Sequence, residues 1–176
     1  HDLLEFGSGT GKHGQLLAEL GYSVTGVERS AEMVKLAKPS SGFSCQQGDI
    51  CDVQLGCTFD AVLSIFHVLS YQTSNQSIDS VFARASDHLQ SGGLFLFDFW
   101  YTPAVLTESP KIRIKRMSDC NFEITRIAEP QLYPNLNRVD VNYNVIVRNL
   151  INDTCEVITE THSMRHFSLP ELDIFA

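Results

Sequence analysis

The 176-residue chain is 43% hydrophobic and 19% charged, enough apolar material for the core of one globular domain. Its 13 Lys and Arg stand against 21 Asp and Glu, a net charge of -8, which is the reverse of a nucleic-acid-binding footprint and argues against a polyanionic partner. Five scattered cysteines without a C-x-x-C pair argue against a zinc cluster or a disulfide framework and fit a reducing cytoplasm, and no apolar run reaches the roughly 18 residues of a membrane span.

Up to about residue 100, short apolar runs alternate with helical patterns, the mark of βα units on a parallel sheet. Buried strands are expected at Asp2–Phe6, Ser23–Glu28, Phe43–Gln47, Phe59–Ile65 and Gly93–Phe99. Helices are expected at Lys12–Leu20, stopped by Gly21, and at Ala31–Lys38, capped by Ser30 and closed by Pro39. Ile78, Val81, Phe82, Ala85 and Leu89 recur three or four apart and so share one face of a further helix, which Ser91-Gly92-Gly93 is expected to end. After Pro103 the period becomes two: Val139, Val141, Tyr143, Val145 and Val147 alternate with polar residues, as a half-exposed antiparallel strand requires. Ile112 with Ile114, and Phe122 with Ile124, mark two more strands, and Asn152-Asp153 turns into a fourth at Cys155–His166. The expected organisation is a core over 1–103, an antiparallel β meander over 104–168, and a helix beginning over 169–176. The chain opens at His1, directly before Leu3 and Leu4, and closes inside a helical pattern, so both ends read as trimmed.

The stretch "EFGSGTGKHG", Glu5 to Gly14, has the look of a phosphate cradle. A P-loop needs a glycine five residues before the Gly-Lys pair and a Ser or Thr after it; here those positions hold Phe6 and His13, so the motif fails. Gly9, Gly11 and Gly14 do fit the dinucleotide pattern G-x-G-x-x-G, with Glu28 near the expected ribose-binding acid. Glu5 discriminates: a carboxylate at the end of the first strand repels a pyrophosphate and attracts a cationic ligand. S-adenosylmethionine, with an ammonium, a sulfonium and no phosphate, meets that requirement.

These residues resemble the class I S-adenosylmethionine-dependent methyltransferases. "LLEFGSGTG" is similar to their first motif, with Glu5 as the acid and Gly7, Ser8, Gly9, Thr10 and Gly11 as the turn against the cofactor. "VTGVERS" resembles the second strand, which implies that Glu28 holds the ribose hydroxyls with Arg29 and Met33 beside it. "GDI" resembles the adenine corner, implying that Asp49 accepts from the exocyclic amine and Ile50 borders the ring. "FDAVLSIFHVLSY", with Ser64 and Phe66 on the cofactor side, and "HLQSGGLFLFDF" resemble the fourth strand and the helix, turn and fifth strand. The implied fold is a doubly wound, Rossmann-like, mostly parallel α/β sheet of order 3-2-1-4-5, with its final strands outside the chain and the meander inserted after strand five.

Ligands of such sheets bind beyond the carboxyl ends of the strands, which puts a small-molecule methyl acceptor near Asp98, Trp100 and Tyr101. Transfer to nitrogen or oxygen needs an unprotonated nucleophile, and His67 and His162 are the candidate proton acceptors. Glu160, His162, Met164 and His166 share one strand face, but residues six apart are separated by roughly 20 Å, so Glu160 and His166 cannot share an ion and no metal is expected. "FWYTP" and "ETHSMRHFSLPEL" extend the resemblance to the N,N-dimethyltransferases of nucleotide-linked amino sugars, in which such a meander covers the acceptor cleft and contributes to a dimer. His67 stands where that branch carries small serine-like residues, and Asp98-Phe99 replaces a Glu-Pro type pair. Two other functions stay open on the residues alone: a nicotinamide-dependent oxidoreductase and a non-catalytic cofactor-binding module.

Overall fold

A computed structural model describes residues 1–176, which form two compact units, residues 1–99 with 170–176 and residues 100–169. No helix is long and apolar enough to cross a membrane.

In the first unit, β1 (Asp2–Phe6), β2 (Ser23–Glu28), β3 (Phe43–Gln47), β4 (Phe59–Ser64) and β5 (Leu89–Phe97) form a parallel sheet in the order β3-β2-β1-β4-β5. This is the doubly wound topology expected from the sequence. The two-residue period of β1 puts Leu4 and Phe6 on one face and Leu3 and Glu5 on the other. On the Leu3 face, Val24, Phe43 and Leu63 join Leu3 in a buried cluster completed by Leu17 and Ala18 of α1 (Lys12–Glu19). Next, α2 (Ala31–Leu36) starts where Ser30 Oγ accepts the Met33 N–H at 3.3 Å. The longest helix, α3 (Asn75–His88), packs on β4 and β5, buries Ile78, Val81 and Ala85, and sets Phe82 edge-on to Phe95 and Phe97 at 5.4 and 5.5 Å.

Several boundaries differ from the sequence expectation, α1 ending at Glu19, α2 at Leu36 and β5 at Phe97, and two of the differences have a distinct cause. α3 stops at His88, whose buried ring is fixed at both nitrogens, 2.7 Å from the Arg84 carbonyl and 3.0 Å from the Leu55 N–H it accepts. The strand β5 starts at once, so Ser91-Gly92-Gly93 lies inside it. The reason is a bulge: pairing jumps from Phe59 with Leu89 to Ala61 with Leu94, and the surplus residues are taken up around Gly92, whose φ is 81°. At the other end, β4 stops at Ser64 because the chain turns into left-handed backbone at Phe66 and His67.

The second unit is a mixed sheet in the order β6-β10-β9-β8-β7. Four strands, β7 (Arg113–Ser118), β8 (Phe122–Tyr133), β9 (Arg138–Asn149) and β10 (Thr154–Phe167), run antiparallel as a meander. The short β6 (Trp100–Tyr101) pairs in parallel with the end of β10, ahead of α4 (Thr102–Thr107). Val105, Val139, Val141 and Met164 form its core, with Trp100 and Tyr143 packed against them. Buried His166 lies 2.8 Å from Thr102 Oγ1. Finally α5 (Leu169–Phe175) brings Phe175 to 6.4 Å from Phe82 in the first unit's core.

Candidate cofactor site at the glycine loop

The loop from Gly7 to Gly11 leaves the carboxyl end of β1. Gly7, Gly9 and Gly11 have φ of 68°, 56° and 77°, so the loop uses the left-handed backbone that only glycine adopts without cost. The Gly7 and Ser8 amides both donate to the Val27 carbonyl, at 2.8 and 3.2 Å, which pins the loop to the end of β2. Gly14 serves a different need: a Cβ there would meet the Phe43 ring at 2.3 Å, so its absence lets α1 settle on β3.

Glu5 is 1% exposed beneath this loop. One carboxylate oxygen lies 3.4 Å from His13 Nδ1 and the other, Oε2, has no hydrogen-bond partner. Burial pushes the carboxyl above its ordinary value; the His13 charge and hydrogen bond, and the Gly14 amide, offset part of that rise. A buried acidic group with one unsatisfied oxygen is suited to a cation. His13, the second residue of α1, was not singled out from the sequence. Nothing in its spacing separates it from a solvated helix residue; only the register of β1 under α1 pairs it with Glu5.

Glu28 reaches the same loop from the end of β2. Its carboxylate accepts the Gly9 N–H at 2.9 Å and the Ser30 N–H at 2.8 Å. The loop amide that would hold a phosphate in a dinucleotide site is thus occupied by an anionic side chain. Ser8, buried, lies 3.2 Å from Cys45 Sγ, while Thr10 is half-buried. Burial, with the Glu28 and Glu5 charges behind it, pushes the Cys45 thiol up, so it is no nucleophile at neutral pH.

At the end of β3, Asp49 Oδ1 accepts the Cys51 N–H at 2.9 Å and the Asp49 carbonyl accepts the Val53 N–H, building a compact turn over buried Ile50. Burial and then the Asp49 charge push Cys51 up to about 11. Arg29 and Met33 are exposed, and the Arg29 carbonyl accepts from Gln47 Nε2 at 3.3 Å. Of these residues Gly9 and Glu28 are joined directly, while Glu5 and Ser8 are buried beside the same loop.

A second cluster forms at the ends of β4 and β5. Phe66 and His67 have φ of 66° and 65°, and two successive non-glycine residues in this region are strained by roughly 1–2 kcal/mol each. The Asp98 carboxylate accepts the His67 N–H at 2.6 Å and lies 3.6 Å from His67 Nδ1. Phe66, 76% exposed, stacks on the His67 ring at 5.8 Å and lies 6.5 Å from the His13 ring. Ser64 is fully buried, its Oγ without a partner. Trp100, Tyr101 and His162 belong to the second unit. Trp100 and Tyr101 pair with His166 and Phe167, and His162 sits 3.2 Å from Glu160 and edge-on to Tyr143 at 4.9 Å.

Residues 3–93 match the family described as methyltransferase domain. Over 144 residues the chain is 25% identical to dTDP-3-amino-3,4,6-trideoxy-alpha-D-glucopyranose N,N-dimethyltransferase from Streptomyces venezuelae, covering 81% of this chain and 60% of the relative. It is 26% identical to dTDP-3-amino-3,6-dideoxy-alpha-D-glucopyranose N,N-dimethyltransferase from Streptomyces fradiae, covering 81% of this chain and 56% of that one. The chain thus spans less than two thirds of the length of these curated relatives. A sugar N-methyltransferase from Streptoalloteichus shares its fold with a TM-score of 0.88 at 19% identity, covering 99% of this chain and 69% of the other. An S-adenosylmethionine-dependent methyltransferase from Clostridium acetobutylicum does so with a TM-score of 0.80 at 20% identity, covering 99% and 70%. With the family match extending over more than half of its length, the chain belongs to the methyltransferase domain family and has the fold of the S-adenosylmethionine-dependent enzymes.

Proposed function

We propose that the protein transfers a methyl group from S-adenosylmethionine to nitrogen or oxygen of a small molecule, and that the acceptor is a nucleotide-linked amino sugar. The observation that carries the cofactor reading is the pair of carboxylates, Glu5 below the glycine loop and Glu28 on its Gly9 amide, where a diphosphate would meet two negative charges. In this reading Glu28 exchanges its loop amide for the ribose hydroxyls, Asp49 and Ile50 receive the adenine, and Phe66 and Ser64 border the methionine end. The cofactor supplies an activated methyl on a sulfonium. The protein aligns donor and acceptor, and alignment of this kind is worth up to about 7–11 kcal/mol in favourable cases.

His67 and His162 are the proposed proton acceptors. Each has an acidic neighbour, Asp98 at 3.6 Å from His67 and Glu160 at 3.2 Å from His162. Asp98, Trp100 and Tyr101 are proposed to contact the acceptor. A phosphate-linked acceptor is supported by Arg113, Lys115 and Arg126, which stand on one face of neighbouring strands with Lys115 directly opposite Arg126. Like charges so placed destabilise a sheet unless an anion joins them. Dimerisation through the meander, where Val157 and Ile158 are exposed on β10, and a cytoplasmic location suited to the free cysteines complete the reading.

Calorimetric titration with S-adenosylhomocysteine and with NAD tests the cofactor: binding of the first alone is expected, and binding of NAD alone would refute it. Glu28→Gln should weaken S-adenosylhomocysteine by roughly 10–100-fold, the worth of a charged hydrogen bond. His67→Ala should abolish turnover while sparing cofactor binding. Lys115→Glu should raise KM for a nucleotide-linked sugar without changing cofactor affinity.

A further inference from the structure

Glu5 and His13 form a pair of which the proposed function uses Glu5 and assigns His13 no part. Glu5 is buried, with one oxygen facing His13 Nδ1 at 3.4 Å and the other without a partner. The His13 side chain is 46% exposed, on the first turn of α1, and its ring tilts toward Phe66 at 6.5 Å. The pair therefore links the interior under the glycine loop to solvent beside it. The residues directly opposite Glu5 on the flanking strands, Gly26 and Leu63, carry no charge. From β3 comes only the Cys45 thiol, which senses the charges of Glu5 and Glu28. Glu28 itself is tied to the Gly9 and Ser30 amides. Among these groups His13 is the basic side chain that faces Glu5.

We propose that His13 is a specificity-determining residue of the cofactor site: with Glu5 it reads the amino-acid end of S-adenosylmethionine, releasing a proton to solvent as the ligand's ammonium arrives. This rests on the cofactor reading above. A buried carboxylate needs about one counter-charge, and two cations beside one anion repel each other. Before binding, the imidazolium supplies that charge. When the ammonium reaches the loop, the imidazolium loses its proton to water; no bond between heavy atoms forms or breaks. Neutral imidazole then leaves the ligand's ammonium matched to Glu5. A ligand without the amino-acid end makes no such exchange. Histidine is suited to the task because its charge changes within the physiological range, whereas Lys would keep its charge and compete with the ligand throughout.

Titration of the full chain with S-adenosylhomocysteine, in two buffers of different protonation enthalpy between pH 6 and 8, reads the released proton. 5′-Methylthioadenosine, which keeps the adenosine and thioether but lacks the amino acid, is the control. Wild type should release a proton to S-adenosylhomocysteine, with affinity rising by up to about tenfold per pH unit on the acid side, as one linked proton dictates. Methylthioadenosine should bind without release. In His13→Gln the release and the pH slope should vanish while methylthioadenosine affinity is kept. His13→Lys should weaken S-adenosylhomocysteine about equally at every pH. Binding of S-adenosylhomocysteine to wild type without proton release would overturn this inference alone, as would a His13→Gln variant that changes both ligands equally. Failure of both ligands to bind wild type would overturn the cofactor reading and this inference with it.

Discussion

The Asp98 carboxylate accepts the backbone N–H of His67 at 2.6 Å, so the end of β5 holds a turn that β4 alone would not keep. The turn contains the two left-handed residues, and the charged hydrogen bond offsets part of their strain. Asp98→Ala should therefore lower stability by about 2 kcal/mol, and Asp98→Asn, which keeps an acceptor oxygen, by less. Urea denaturation of the three proteins measures the difference; equal midpoints would mean that the clamp contributes nothing.

The strain itself can be relieved. Phe66 is 76% exposed and loses little packing if shortened. Phe66→Gly should raise stability by up to about 1 kcal/mol, because glycine occupies the left-handed region freely, against a small entropic cost in the unfolded chain. A raised melting temperature with weaker binding of S-adenosylhomocysteine is the expected pair of results, since the aromatic wall is lost with the strain.

Glu5 predicts a pH dependence of stability. Burial raises its folded carboxyl above the unfolded value, so between those values the folded state binds more protons than the unfolded one. The group's contribution is full below the ordinary glutamate range and is lost as pH rises through the raised value. Glu5→Gln has no such loss and should be more stable than wild type near neutrality by roughly 1–2 kcal/mol, while binding the cofactor more weakly. Chemical denaturation at pH 4 and pH 7 checks the sign: the advantage of the variant should appear only at the higher pH.

Gly14→Ala should be destabilising although Gly14 is in a helix, where alanine is ordinarily the better residue. The new methyl would lie 2.3 Å from the Phe43 ring, and overpacking of this kind costs about 1–3 kcal/mol. Shortening the neighbour by Phe43→Leu in the same chain should recover part of the loss. A double-mutant cycle showing simple additivity would mean that the two residues do not meet.

The parallel strands of the core and the antiparallel meander were legible in the sequence, because hydrophobic period and turn chemistry are local properties; the strand order followed only from the resemblance of the motifs to the methyltransferases. Residues spaced by two or by three and four choose their own faces before any long-range contact forms. The acids around the glycine loop were legible too, through Glu5 and Glu28 at the ends of consecutive strands. The bulge that placed Ser91-Gly92-Gly93 inside β5 was not, since it depends on the pairing of β5 with β4. Nor were the His67 and Asp98 pair, 31 residues apart, or the Glu5 and His13 pair across the gap between sheet and helix. Pairs of this kind are created by strand register and helix docking, and the charge each group carries depends on the burial and neighbours that packing supplies.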